Sequence, residues 1–124
     1  MDQCFLCRPA AEQTFLQNDL GIAYWDAFPV AERHALIVPR RHVADYFSLT
    51  PEELLACHGL LRQARELICA ADRNVTGFNI GANIGEAAGQ TVFHCHIHLI
   101  PRRLGDVTTP RGGVRNIIPG RGDY

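Results

Sequence analysis

A surplus of charge of either sign is missing from this sequence: 12 Lys and Arg stand against 13 Asp and Glu, a formal net charge of -1. Nonspecific attraction to a polyanion needs a basic surplus, so nucleic acid is not an expected partner. Long apolar runs are missing as well. None approaches the length that crosses a bilayer, and Met1-Asp2-Gln3-Cys4 carries an acid where a secretory leader carries positive charge. The expectation is a cytoplasmic protein with no membrane partner. Internal repeats and low-complexity tracts are absent. No carboxylate pair accompanies the candidate site described next, and no Ser or Cys sits in a nucleophile elbow, so glycosidase-like, two-metal and elbow-type acyl chemistry lack support.

What is present fits a single domain of 124 residues that buries a core. Gly21–Trp25 and His34–Pro39 are short β-branched and aromatic runs separated by a turn through Phe28-Pro29-Val30, and predict a hairpin. Thr50-Pro51-Glu52-Glu53 combines an N-cap, a Pro at the first helical position and a capping-box Glu. The helix starting there carries Leu54, Cys57, Leu61, Ala64, Ile68 and Ala71 on one apolar face, with Glu53, Arg62, Glu66 and Arg73 free to stay wet. Asn74 to Gly77 ends it. Further strands are expected over Phe78–Asn83 and Thr91–Ile100, joined by a glycine-rich loop. Neighbouring strands with one substantial helix give an α+β domain with an antiparallel sheet. Residues 1–105 read as the domain and 106–124 as a basic Gly- and Pro-rich tail.

The chemistry concentrates in His94-Cys95-His96-Ile97-His98. On a strand this alternation puts the histidines on one face, neighbours roughly 7 Å apart, with Cys95, Ile97 and Leu99 on the other. Such a row suits catalysis, metal binding, or a division of both. Histidine is a competent nucleophile toward phosphorus at neutral pH, because a reference pKa near 6.5 leaves much of it unprotonated and the phosphoramidate formed is open to hydrolysis. Gly81, Gly85 and Gly89 immediately upstream let successive N–H groups curve into an anion cradle, to which Gln90 and Thr91 add side-chain donors. The odd count of 5 cysteines argues against a disulfide framework. Of these, Cys4 and Cys7 form a C-x-x-C pair with the spacing of a ligand set, or of two thiols near a terminus.

The run Gly89-Gln90-Thr91-Val92-Phe93-His94-Cys95-His96-Ile97-His98-Leu99-Ile100-Pro101-Arg102 closely resembles the signature of the histidine-triad (HIT) family. Ile37-Val38-Pro39-Arg40-Arg41-His42 and Cys4-Phe5-Leu6-Cys7 resemble its upstream strand and its N-terminal zinc pair. The resemblance covers Cys4 to Arg103; the tail resembles a subset of bacterial members described as diadenosine polyphosphate hydrolases. It implies the HIT fold, an antiparallel five-stranded sheet per subunit with one long helix and shorter helical segments, in a homodimer sharing a ten-stranded sheet. It implies a nucleotide hydrolase that releases a nucleoside monophosphate from a dinucleoside polyphosphate or related phosphoanhydride or phosphoramidate. His96 becomes the nucleophile and His98 a catalytic phosphate contact. Asn83, Gly89, Gln90 and Thr91 match the phosphate loop and Asp26 the ribose contact, while His34 aligns with a histidine near the ribose in some branches. Ile22, Phe28 and Leu36 are candidates for the base pocket. Zinc-bearing members imply a structural site of Cys4, Cys7, His42 and His94. A phosphorylase or nucleotidyltransferase, and a non-catalytic nucleotide-binding module, are the alternative functions.

Overall fold

The computed structural model describes residues 4–124. Its sheet is assembled from β1 (Thr14–Gln17), β2 (Gly21–Trp25), β3 (Ala35–Pro39), β4 (Val75–Gly81) and β5 (Ile97–Arg103), in the spatial order β1-β2-β3-β5-β4 with every pairing antiparallel. The hairpin expected from Gly21–Trp25 and His34–Pro39 is β2–β3, in register from Gly21 opposite Pro39 to Trp25 opposite Ala35. β1 is an addition that sequence reading did not make.

One long helix, α1 (Pro51–Ala71), covers one face of the sheet. Its start is the expected one. The Thr50 hydroxyl accepts from the Glu53 N–H and the Glu53 carboxylate accepts from the Thr50 N–H, which satisfies two end donors reciprocally. Its inward face is Cys57, Leu60, Ala64 and Ile68, packed on Ala23, Ala35, Ile37, Ile97 and Leu99. Three corrections follow for the helix. Leu60 is the buried centre of that face, whereas Leu54 is 40% exposed. Ala71 is exposed rather than packed. Glu53, expected to stay wet, is buried, because its carboxylate also receives the Arg41 guanidinium through bonds of 2.8 and 2.9 Å.

Strand boundaries shift too. β4 begins at Val75, not Phe78, since α1 stops at Ala71 and the chain turns back immediately. β5 begins at Ile97, not Thr91. His94 and His96 therefore precede the ladder. The His98 position pairs with Leu36 on one side and Gly81 on the other, which fixes it in the sheet, but the three histidines do not form one strand face.

Candidate functional site

Departure from the strand lets His94 turn away from His96. Its ring is fully buried and faces His42 and the N-terminal cysteines. His94 Nδ1 lies 3.6 Å from Cys4 Sγ, 3.4 Å from Cys7 Sγ and 3.2 Å from His42 Nδ1, and His42 Nδ1 lies 3.2 Å from Cys7 Sγ. All four donor atoms fall within 4.8 Å of one another. Tetrahedral zinc, with bonds of about 2.0 Å to nitrogen and 2.3 Å to sulfur, needs edges of about 3.3 Å between nitrogens and about 3.5 Å between nitrogen and sulfur. The cluster has that size. His94 Nε2 donates to the Pro39 carbonyl at 2.9 Å, which leaves Nδ1 unprotonated and aimed at the other donors. Burial pushes the His94 pKa down and favours the same neutral ring. The ion pair of Arg41 with Glu53 anchors the segment carrying His42 to the start of α1.

Backbone and side chains likewise set the tautomers of the other histidines. His96 Nδ1 donates to the His94 carbonyl at 2.8 Å, so the Nε2 lone pair is the reactive one. The Val30 N–H donates to His34 Nδ1 at 3.1 Å, so the His34 proton sits on Nε2 and is donated to His98 Nδ1 at 2.9 Å. That leaves the His98 proton on its own Nε2. Burial, with His34 and His96 adjacent, pushes the His98 pKa down to about 4, so this relay is neutral at pH 7. Asp26 completes the group. One carboxylate oxygen accepts from the Phe28 N–H at 2.8 Å and the other lies 3.4 Å from His34 Nε2.

A cavity of about 580 Å³ opens over these groups. Asp26, His34, Thr91, His96 and His98, with Arg8 and Gln13 from the N-terminal side, supply its polar lining, and Phe28, Leu36, Val92 and the N-terminal residues Phe5 and Leu6 are among its apolar walls. Ile22, a candidate for the base pocket, is instead packed beneath it with Tyr24 and Leu36. Asn83 and Gly89 are exposed on the neighbouring loop and do not line the cavity.

Gln90 departs from its expected role as a phosphate donor. Its buried amide donates to the carbonyls of Ala44 and Val92 at 2.7 and 3.1 Å and accepts from the Gly85 N–H at 2.8 Å. Both N–H donors of that amide and one acceptor position on its oxygen are used to brace the loop. The loop closes over this brace through Gly85 and Gly89, at φ of 88° and 90°, a region costly for any residue with a Cβ. The N-terminal wall of the cavity was missed by sequence reasoning; its signal was the apolar pair Phe5-Leu6 between two candidate ligands.

The model of the HIT domain matches residues 8–105. The chain belongs to the HIT family. An uncharacterised HIT-like protein of Mycoplasma genitalium is 40% identical over 86 residues, covering 69% of this chain and 60% of the relative. An asymmetrical bis(5'-nucleosyl)-tetraphosphatase of Schizosaccharomyces pombe is 35% identical over 98 residues, covering 79% of this chain and 53% of the relative. The HIT chain thus spans about half to three-fifths of the length of these relatives. Among solved structures, a Zn-bound histidine triad family protein from Mycobacterium smegmatis superposes with a TM-score of 0.76 at 28% identity, covering 86% of this chain and 80% of its own. The fold is the HIT fold that the sequence resemblance implied.

Proposed function

We propose that this HIT protein is a nucleotide hydrolase that releases a nucleoside monophosphate through a covalent intermediate on His96. The observation that carries the proposal is the bond from His96 Nδ1 to the His94 carbonyl, which leaves Nε2 as an unprotonated nucleophile at the cavity. In the first step Nε2 attacks the α-phosphorus and the bond from phosphorus to the bridging group breaks; an oxygen leaves as an anion that accepts a hydrogen bond from the His98 Nε2–H, a nitrogen leaves carrying its own proton from solvent, and the His96 ring bears the compensating positive charge. Water then attacks the phosphorus, the bond from phosphorus to Nε2 breaks and returns its electron pair to His96, and the monophosphate leaves as the second proton of the water passes to solvent. Asp26 holds the ribose hydroxyls, Thr91 meets a phosphate oxygen at the cavity, and the neighbouring loop carrying Asn83 and Gly89 meets phosphates that extend past the cavity rim. The tetraphosphatase relative supports a dinucleoside polyphosphate as substrate.

Cys4, Cys7, His42 and His94 would hold one zinc ion. With four protein donors no position is open to water, so its contribution is structural. β4 lies at the sheet edge with one ladder side open and Ile80 half exposed, and a second copy adding there would give a ten-stranded dimer. No helix among the described residues is long and apolar enough to cross a membrane.

The test is His96→Ala assayed with diadenosine polyphosphates and adenosine phosphoramidate. Turnover should disappear with AMP affinity and fold retained, and mass spectrometry of quenched wild-type protein should detect the added nucleotidyl group. Undiminished turnover removes the assignment. Running the assay with and without inorganic phosphate separates hydrolase from phosphorylase.

A further inference from the structure

The stretch from Cys4 to Gln13 serves two places at once. Cys4 and Cys7 belong to the donor cluster, while Phe5, Leu6, Pro9 and Gln13 form one wall of the cavity beneath which His96 and His98 lie. Its own backbone bonds are local: Cys7 N–H to Cys4 O at 3.2 Å, Arg8 N–H to Phe5 O at 3.3 Å and Gln13 N–H to Ala10 O at 3.0 Å. The chain enters the sheet only at Thr14. The ties to the rest of the domain that the structure gives are the contacts of Cys4 and Cys7 with His42 and His94, and the burial of Leu6 among Ile22, Tyr24, Leu36 and Val38. Leu6 is 2% exposed and sits between the two cysteines in sequence, so the cluster and the wall share one short segment.

We infer that the segment Cys4–Gln13 is a metal-set wall of the nucleotide cavity, so that zinc and nucleotide bind with positive coupling, transmitted through Leu6. The inference rests on the reading of a zinc site and a nucleotide pocket given above. A segment without ladder bonds must be ordered before it can form a wall, and the metal meets that entropic cost in advance. A second link acts on the same pocket: His94 is a ring donor to the cluster, and its carbonyl fixes His96. Coupling between two ligands is reciprocal, so nucleotide must tighten zinc by the factor by which zinc tightens nucleotide.

The experiment measures AMP affinity by calorimetry on zinc-loaded protein and on protein stripped with a chelator. It also measures zinc affinity of the loaded protein by equilibrium competition with a chromophoric chelator, with and without saturating AMP. The expected result is AMP binding at least tenfold weaker without zinc, zinc binding tighter by the same factor with AMP, and a coupling factor below threefold in Leu6→Ala that still takes up one zinc per chain. Should the stripped protein unfold, the competition arm on the loaded protein yields the factor alone. Zinc and AMP that both bind, each indifferent to the other, overturn the coupling and leave the two sites standing. Failure of either ligand to bind the wild-type protein at all overturns the underlying reading.

Discussion

His34 donates its Nε2 proton to Nδ1 of His98 across 2.9 Å, and a backbone N–H at Val30 dictates that it can do so. A peptide group on the β2–β3 loop thus decides where the proton of a cavity histidine resides. His34→Phe keeps the ring volume and removes both nitrogens, freeing His98 to adopt either tautomer. Turnover should fall at least about tenfold, part of the 10²–10³ that one positioned transition-state hydrogen-bond donor contributes, while zinc content stays unchanged. Steady-state kinetics beside metal analysis checks both, and wild-type turnover in the variant would show that the relay is idle.

Acid should weaken the fold through the same pair. The His98 pKa lies at about 4, below its ordinary value of 6.5, so above 6.5 both folded and unfolded chains carry a neutral ring and the contribution is constant. As pH falls from 6.5 toward 4 the unfolded chain takes up a proton that the folded chain refuses, and stability drops. With partial exposure discounted, the loss is about 1–2 kcal/mol. Denaturant midpoints of zinc-saturated wild type and His98→Gln across this window provide the check: the wild-type slope should be the steeper, and parallel curves would place the acid sensitivity elsewhere.

Metal content gives a third prediction. Purified protein should hold about one zinc per chain, the capacity of one four-donor site. Cys7→Ser should reduce this several-fold and lower thermal stability, whereas Cys69→Ser, at the other end of the domain on α1, should change neither. Elemental analysis of the two variants side by side decides it. Equal zinc in both would mean that the metal is bound elsewhere.

Core packing yields a fourth. Leu60 is fully buried at the centre of the inward face of α1, and Leu60→Ala should cost about 2–5 kcal/mol of unfolding free energy. Leu55, 71% exposed on the same helix, should cost less than about 0.5 kcal/mol on the same change. Urea melts of the pair measure both.

Legibility in the sequence followed the range over which each feature is encoded. The start of α1 was readable because Thr50, Pro51 and Glu53 contain the whole cap within one turn. The β2–β3 hairpin was readable from its own composition. β1 was not: Thr14–Gln17 is short, half-buried and at the sheet edge, so no alternation marks it. The three histidines stood out in the sequence, but period two assigned them one face, and the chain breaks that period because the Cys95 N–H bonds to the Val43 carbonyl at 2.7 Å instead of joining a ladder. Glu53 and Gln90 were misplaced for a common reason. Each is a polar residue whose partners, Arg41 in one case and the Ala44 carbonyl in the other, lie 12 and 46 positions away, and burial of a satisfied polar group leaves no local trace.

The His94 carbonyl has a consequence for heat tolerance. Its ring and the His96 imidazole are joined by two peptide units and one hydrogen bond, so the spacing between cluster and nucleophile is set by covalent geometry and not by how tightly neighbouring strands pack. Warming that loosens the sheet edge at β4 leaves this spacing intact. Inactivation on heating should therefore track the release of the N-terminal segment, well before the nucleophile itself loses its aim.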